Sequence, residues 1–553
     1  MSLPSPFDMS SEPGSLQREG THANEIAMRQ MNYPEAFYRR WVLTTAVSFA
    51  IVAMSTWEAL LRTAHTQLAT SGPGGMLIAN IAAASLISLT TLPLAHLTRT
   101  TPSSAGQAAW LSRLAPRTHA QKASYHVGFL AVLAWQALAA SSTFAAATEI
   151  ETLAACNANA PDRFITWHAA IFGTCIAVVA VLANTRFYRV LPRLSAGWAG
   201  MHIGAAISVG WALSGGIKPG GVKAFPRIEA GPWTSPWGAA LLGVGPAMAA
   251  YLGADAAAHM AEETRDSSVT SPRAIYISVL GNALLGLGMA VMLSLQPLPR
   301  TPPAPAASYV ALFSAVSGRT ATIFLSVMMI GLSIGSAVAR ATVASRVLWA
   351  FARDGGLAWL HGAQTVDRVA GSRIPIAALA ITCVLTSGLC IANTTSTVPY
   401  AATAQFGALA LLLSYLAPAG MAAVRAPADR SRWALTSSVK GVVYGAVAVG
   451  LAVAVVVVCF PARPVGRWGG WVAELNWAPV VLVGGLVLGE GCWWASARWA
   501  WFSPADRVVR EPLGDEDRLA VDGVARGVVE DTGRWDELEC RPHSRHGPTD
   551  AVR

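Results

Sequence analysis

The stretch YLGADAAAHMAEE, residues 251–263, sets a carboxylate, Asp255, among small apolar residues and follows it with His259, Glu262 and Glu263 within two helical turns. A second stretch, AMSTWEALL at 53–61, places Ser55, Thr56, Trp57 and Glu58 inside another apolar run. A carboxylate at the centre of a bilayer-spanning helix costs about 3 kcal/mol on insertion scales, so such residues mark contacts with substrates, protons or counter-ions. Metal chemistry has one foothold: His259-x-x-Glu262-Glu263 is one residue away from the H-x-x-E-H pattern of a zinc peptidase. That pattern needs two histidines on one helical face, a third ligand and a glutamate base. Here Glu263 stands in place of the second histidine and Arg265 follows at once, so no metal, cofactor or catalytic group is expected, and an intramembrane metallopeptidase is the weakest reading. What is left is binding and translocation. Trp57 reads either as a core aromatic or, beside Glu58, as a face for a desolvated cation, worth about 1–2 kcal/mol.

The elements that position these residues are membrane spans. The 553-residue chain is 53% hydrophobic and only 13% charged, with a mean hydropathy of +0.43, whereas soluble domains carry roughly a quarter charged residues. The net charge of +9 is scattered as short clusters between apolar runs, a pattern of topology signals rather than a nucleic-acid surface. Seven cysteines contain no CxxC pair, so neither a disulfide framework nor a zinc motif follows. Windows of about 20 residues predict helices near 42–63, 74–97, 124–148, 164–184, 190–214, 237–259, 274–297, 321–349, 375–392, 400–424, 439–460 and 478–501. The reading is an all-α integral membrane protein of about twelve helices. A polar N-terminal segment at 1–41 precedes the helical domain at 42–501, and a charged, disordered tail at 502–553 follows it.

Basic residues set the orientation, because cytoplasmic loops hold the excess of Lys and Arg. Arg39 and Arg40, Arg99 to Lys122, Arg186 to Arg193, Arg265 and Arg273, Arg346 to Arg373, and Arg425 to Arg432 fall in alternate connections. Both termini are therefore expected in the cytoplasm, and the sequon Asn393-Thr394-Thr395 outside. HMAEE then begins the cytoplasmic end of the sixth span, where its charges reach water.

The sixth span combines Gly243, Gly245, Pro246, Gly253 and Asp255. Pro246 removes a backbone donor and Gly253 favours unwinding, so a break is expected here. Broken backbone persists within a membrane only where it lines a cavity, and secondary transporters build midplane sites in this way.

With these residues in view, the chain resembles the amino acid, polyamine and organocation transporter superfamily, in particular its fungal-type choline and GABA (4-aminobutyrate) permease branch. The likeness runs from about residue 22 to 500, in family order through MNYPEAFYRRW, MSTWEAL, TTPSSAGQAAWLSRLAP, GFLAVLAWQALAASSTFAA, ANTRFYRVLPRL, GADAAAHMAEETRDSSVTSPRAI and ASRVLWAFARDGGL. The resemblance implies a five-plus-five inverted-repeat, LeuT-like fold with helices one and six interrupted, and alternating-access transport of a small amine-containing solute by proton symport or exchange. Carried over residue by residue, it points to Ser55, Thr56, Glu58, Gly253, Ala254 and Asp255, with Trp135 and Gln136 on helix three. SSAGQ (103–107) and EETRDSSVTSPR (262–273) match loop motifs of folding and gating. The chain departs from the pattern at His96, Arg99 and Ala254, and lacks the glycine-rich break of helix one.

The expected protein is thus a multi-pass permease, most naturally of the plasma membrane, with an internal membrane as the other location. Its partners are an amine or amino acid, a coupling proton and the lipid bilayer. Glu58 and Trp57 would face the ammonium, and Asp255, with Glu58, would serve coupling or gating. The alternative from another class is a membrane sensor that binds solute without moving it.

Overall fold

The computed structural model describes residues 36–158, 167–217, 219–296, 308–358, 366, 374–394, 398–428, 436–460 and 476–498. All lie within one compact unit, Glu35–Arg507. Residues 36–41 apart, the expected polar N-terminal segment lies outside the described residues, as do the expected tail and Thr395 of the sequon.

The described backbone is helical, with one isolated parallel bridge between Trp41 and Thr264. In hydrocarbon a helix satisfies its own backbone groups, which is why apolar runs of this length adopt no other form. The principal elements are α1 (Leu43–Met54), α2 (Thr56–Thr100), α3 (Gln107–Leu114), α4 (Arg117–Ala158), α5 (Trp167–Thr185) and α6 (Leu191–Ser214). After them come α7 (Pro219–Ala224), α8 (Pro236–Tyr251), α9 (Ala256–His259), α10 (Ser267–Ser294), α11 (Ser308–Val316), α12 (Arg319–Arg353), α13 (Ile376–Ala392), α14 (Val398–Arg425), α15 (Ser437–Cys459) and α16 (Ala478–Cys492).

Each of the twelve predicted windows contains a helix. Among the described residues, nine helical runs are long and apolar enough to cross a membrane, making this an integral, multi-pass membrane protein. The run Leu43–Thr100 holds two predicted windows, separated by Gly72 (φ 71°) and Pro73. α13 is shorter, and α6 falls outside the nine because Gly, Ser and His202 dilute its apolar content. The short α3, α7 and α11 were not among the predicted elements; their runs are too short to register as spans.

Packing explains the small residues. In IANIAAASLISL, Ala79, Ala83 and Ile87 are buried one turn apart, while Ile78, Ile81 and Leu89 face outward. On α15, Tyr444, Val447, Leu451, Ala454 and Val458 form the buried stripe and Val442, Val449, Val453 and Val456 are exposed. A helix apolar on every side presents one face to its neighbours and the other to lipid.

Both expected interruptions exist. α1 stops at Ser55, whose φ of 50° and ψ of 48° are left-handed, and α2 restarts at Thr56. α8 stops at Tyr251, and α9 restarts after Gly253, at φ 108°. A left-handed serine is uncommon for a side chain with a Cβ, so the glycine-poor helix one breaks without the residue that usually permits it. Pro246 is not where helix six breaks: α8 passes through it without interruption. The break belongs to Gly253, whose backbone conformation a side chain resists.

Candidate functional site

The two breaks meet. A Cβ built on Gly253 would lie 3.5 Å from Met54 Cγ and 3.7 Å from Trp135 Cη2. Helix one exposes four carbonyls at its interruption, as any helix end does, and each has a donor. Ile51 O accepts the Ser55 amide at 3.1 Å, and Val52 O accepts the Ser55 hydroxyl at 2.7 Å. Ala53 O and Met54 O accept Nε and Nη2 of Arg340, from α12, at 2.8 and 3.0 Å. A planar guanidinium suits two adjacent acceptors. Asn282 of α10 receives the Thr56 amide on its Oδ1 at 3.4 Å, so one side chain spans the restart.

Ser55, Thr56, Trp57, Glu58, Ala254, Asp255, Trp135 and Gln136 are all buried, so this conformation holds the region closed to solvent. Trp57 packs with Leu61, Val209 and Met289 in a hydrophobic cluster, and its ring centroid lies 5.7 Å from that of His202 on α6. Glu58 Oε1 meets His202 Nδ1 at 2.6 Å. One turn on, Arg62 donates to Glu149 at 3.2 Å and to Ser333 at 3.1 Å. Several buried polar atoms beside the breaks have no hydrogen-bond partner: Thr56 Oγ1, Trp57 Nε1, Glu58 Oε2 and Tyr251 OH. Thr56 and Tyr251 come together at Gly286, where an added Cβ would lie 2.8 Å from Thr56 Cγ2 and 2.9 Å from the Tyr251 hydroxyl.

Asp255 is fully buried and gathers four elements. Tyr415 of α14 donates to its Oδ1 at 2.5 Å. Oδ2 accepts Gln107 Nε2 of α3 at 2.6 Å and Trp135 Nε1 of α4 at 3.1 Å, and faces His259 Nε2 of α9 at 2.9 Å. Trp135, predicted from helix three, thus joins Asp255. Gln136 does not; it donates to Thr382 Oγ1 at 3.0 Å and to Ala344 O at 3.3 Å.

Of the charged groups of HMAEE, His259 and Glu262 do not reach water as expected, and Glu263 is only partly exposed. His259 is buried between Asp255 and the Ser104 carbonyl. Glu262 accepts the Ser104 amide at 2.9 Å, the Ser103 hydroxyl at 3.3 Å and, on both carboxylate oxygens, Nη1 of Arg353 at 3.0 Å. Glu263 pairs with Arg346 at 2.8 Å and accepts the Trp41 indole N–H at 3.3 Å. SSAGQ and EETRDSSVTSPR, far apart in sequence, are therefore two halves of one contact. Each side chain of the metal-like motif has its own partner, and among the described residues no group of three or more His, Cys, Asp or Glu is disposed to hold a metal ion.

Sequence reasoning missed His202, Glu149, Arg340 and Tyr415 as site residues, placed Arg62 among the loop charges, and held Gln107 only as part of the SSAGQ loop motif. Arg340, within the window 321–349, and Arg62, near the end of the window 42–63, carried a readable signal, a cation inside an apolar run. Glu149 fell one residue past a predicted helix end, and Arg346 was assigned to a loop although it is buried on α12.

Residues 41–486 match the family profile described as amino acid permease. Over 344 residues, covering 61% of this chain and 75% of its counterpart, the sequence is 24% identical to a protein of Macrophomina phaseolina (strain MS6) whose name proposes an amino acid/polyamine transporter. The likeness is to a membrane transporter and not to an enzyme.

Proposed function

We propose, for a chain that belongs to the amino acid permease family, that it is a secondary active transporter carrying a small amine-containing solute across the membrane by alternating access. The observation that carries this reading is the meeting of two helix breaks around buried polar atoms that lack partners. Buried polar groups are nearly always satisfied, so a cluster of exceptions at broken backbone suits a ligand. The solute's ammonium sits against Glu58 Oε2, with Trp57 and Thr56 beside it, and a solute carboxylate lies on the N-terminal amides of α2, where the helix dipole favours an anion. Gly253 and Ala254 form the facing wall.

The fold in this reading is twelve helices in a five-plus-five inverted repeat, with the breaks of helices one and six in corresponding positions. The substrate class is that of the choline and 4-aminobutyrate branch or an amino acid; the named relative supports amino acids and polyamines. Transport runs by proton symport or exchange with Asp255 in the coupling role, in the plasma membrane, with both termini cytoplasmic. The start of α1 and the ends of α2, α9 and α12 meet on one face, which supports the alternation read from the basic residues.

The test is an uptake panel in permease-deficient cells covering choline, 4-aminobutyrate, polyamines and amino acids at two external pH values. Saturable uptake of one amine class is expected. Binding of a solute by the purified protein without transport in proteoliposomes overturns the permease reading in favour of a sensor.

A further inference from the structure

The ring nitrogens of His259 count protons. Nδ1 lies 2.9 Å from the Ser104 main-chain oxygen, which can only accept, so Nδ1 carries a hydrogen. Nε2 lies 2.9 Å from Asp255 Oδ2. A bare Nε2 lone pair against a carboxylate oxygen at that distance is repulsive, so a further proton lies between them. It rests either on Nε2, giving imidazolium and carboxylate, or on Oδ2, giving two neutral groups. The pair is electrically neutral in both forms, and removing the proton leaves a net negative charge in a fully buried site, which is costly in a medium of low dielectric.

Among the described residues, no charged side chain besides His259 contacts Asp255. Tyr415 is the titratable side chain that reaches Asp255 from α14, and it already donates to Oδ1. Gln107 and Trp135, from α3 and α4, are neutral donors. On α12, Arg340 is held by the Ala53 and Met54 carbonyls, and Arg346 and Arg353 are engaged with Glu263 and Glu262. α1 carries no charged residue, and Arg273 of α10 is exposed.

The way out is covered. Gly106, at φ 51°, lies against the imidazole, and a Cβ there would come within 2.6 Å of His259 Cε1. The loop that holds it is fastened through Ser103 and Ser104 to Glu262, and Glu262 to Arg353.

We propose that Asp255 and His259 form a site for one exchangeable proton, shared between Oδ2 and Nε2, with the Ser103–Gly106 loop as its lid. This deepens, and rests on, the permease reading: the shared proton is the coupling ion. When the loop lifts from His259, the proton passes from Nε2 to water on that face, leaving the Asp255 carboxylate and a neutral imidazole with its hydrogen on Nδ1. The reverse step reloads the pair, and the neutral, loaded site is the form that closes.

Proton release from the full-length protein in detergent, titrated from about pH 5 to about pH 8, tests the sharing. Asp255→Asn, His259→Gln and the double variant are each expected to release one proton fewer than wild type. A double variant two protons short, or single variants equal to wild type, overturns the shared site. Should a variant fail to fold, nitrogen NMR of labelled histidine in the unaltered chain gives a second readout. The histidine in contact with an aspartate is expected to keep its Nδ1 hydrogen while Nε2 deprotonates, and loss from Nδ1 first overturns the assignment. In wild-type proteoliposomes, labelled solute should enter with about one proton per solute, read by an internal pH dye. Solute flux without protons overturns the coupling role and leaves the permease reading standing; absence of flux overturns the permease reading, while the proton count stands by itself.

Discussion

Arg340 Nε lies 2.8 Å from the carbonyl oxygen of Ala53, joining positions 287 residues apart. The contact gives the end of α1 a fixed cation where helix dipoles concentrate negative charge. Together with the Met54 carbonyl it accounts for half of the acceptors freed by the break. Arg340→Ala leaves both oxygens buried without donors, at about 1–3 kcal/mol each. The expected result is a lowered unfolding temperature in detergent and loss of solute uptake. Arg340→Lys retains the charge without the fork and should fall between. An Arg340→Ala protein with wild-type unfolding temperature would show that the break does not depend on the guanidinium.

Glu58→Gln is expected to weaken uptake of cationic amines on the order of tenfold or more, the effect of losing a charged contact of about 1.5–3 kcal/mol. Zwitterionic solutes, with a second anchor at the start of α2, should lose less. His202→Gln is expected to have a smaller effect, since Glu58 Oε2 is free of the His202 contact. Unchanged uptake across an amine panel removes Glu58 from the site.

How much of this was legible depends on how far apart the partners lie. Hydropathy windows located the helices because span length is a local property of sequence. Ser55, Glu58, Gly253 and Asp255 were legible as polar or flexible residues in apolar runs. Of their partners, His259 and Trp135 were legible, but His202, 144 positions from Glu58, and Tyr415, 160 from Asp255, were not. No periodicity links such positions; tertiary packing alone brings them together. Pro246 misled for the opposite reason. Its lost backbone donor is a local cost that a packed membrane helix absorbs, whereas the left-handed backbone at Ser55, a conformation its residue type does not announce, is stabilised by Arg340 and Asn282 from other helices.

Glycosylation tags address the orientation. A tag near Pro219 is expected to be modified and one near Pro427 is not, as the alternation of basic residues requires. Modification near Pro427 alone would invert the map.

Asp266 offers a pH-dependent test outside the spans. Burial raises its carboxyl above the ordinary aspartate range, while Arg39 and Arg265 pull it back. A native value raised above the unfolded one means that folding disfavours the charged form. The cost is absent at low pH and appears as pH rises through the unfolded and native values. Asp266 caps α10 with no side-chain hydrogen bond and a φ of 48°, a conformation asparagine tolerates. Asp266→Asn should therefore raise the unfolding temperature at pH 7 and leave it unchanged near about pH 3, below the ordinary aspartate range. A rise of equal size at both values would refute the electrostatic cause.

The short tie ahead of α1 has its own consequence. Arg40 N and Trp41 N both donate to Glu263 O, and Arg265 N donates to Trp41 O. Three main-chain bonds thus stitch the start of one interrupted helix to the end of the other. The stitch belongs to the backbone, so replacing side chains leaves it in place, and alanine scanning passes over it. Proline at position 40, 41 or 265 removes a donor and cuts it. On this face the two broken helices are tied at the main chain, so a displacement of one must either carry the other with it or break these bonds.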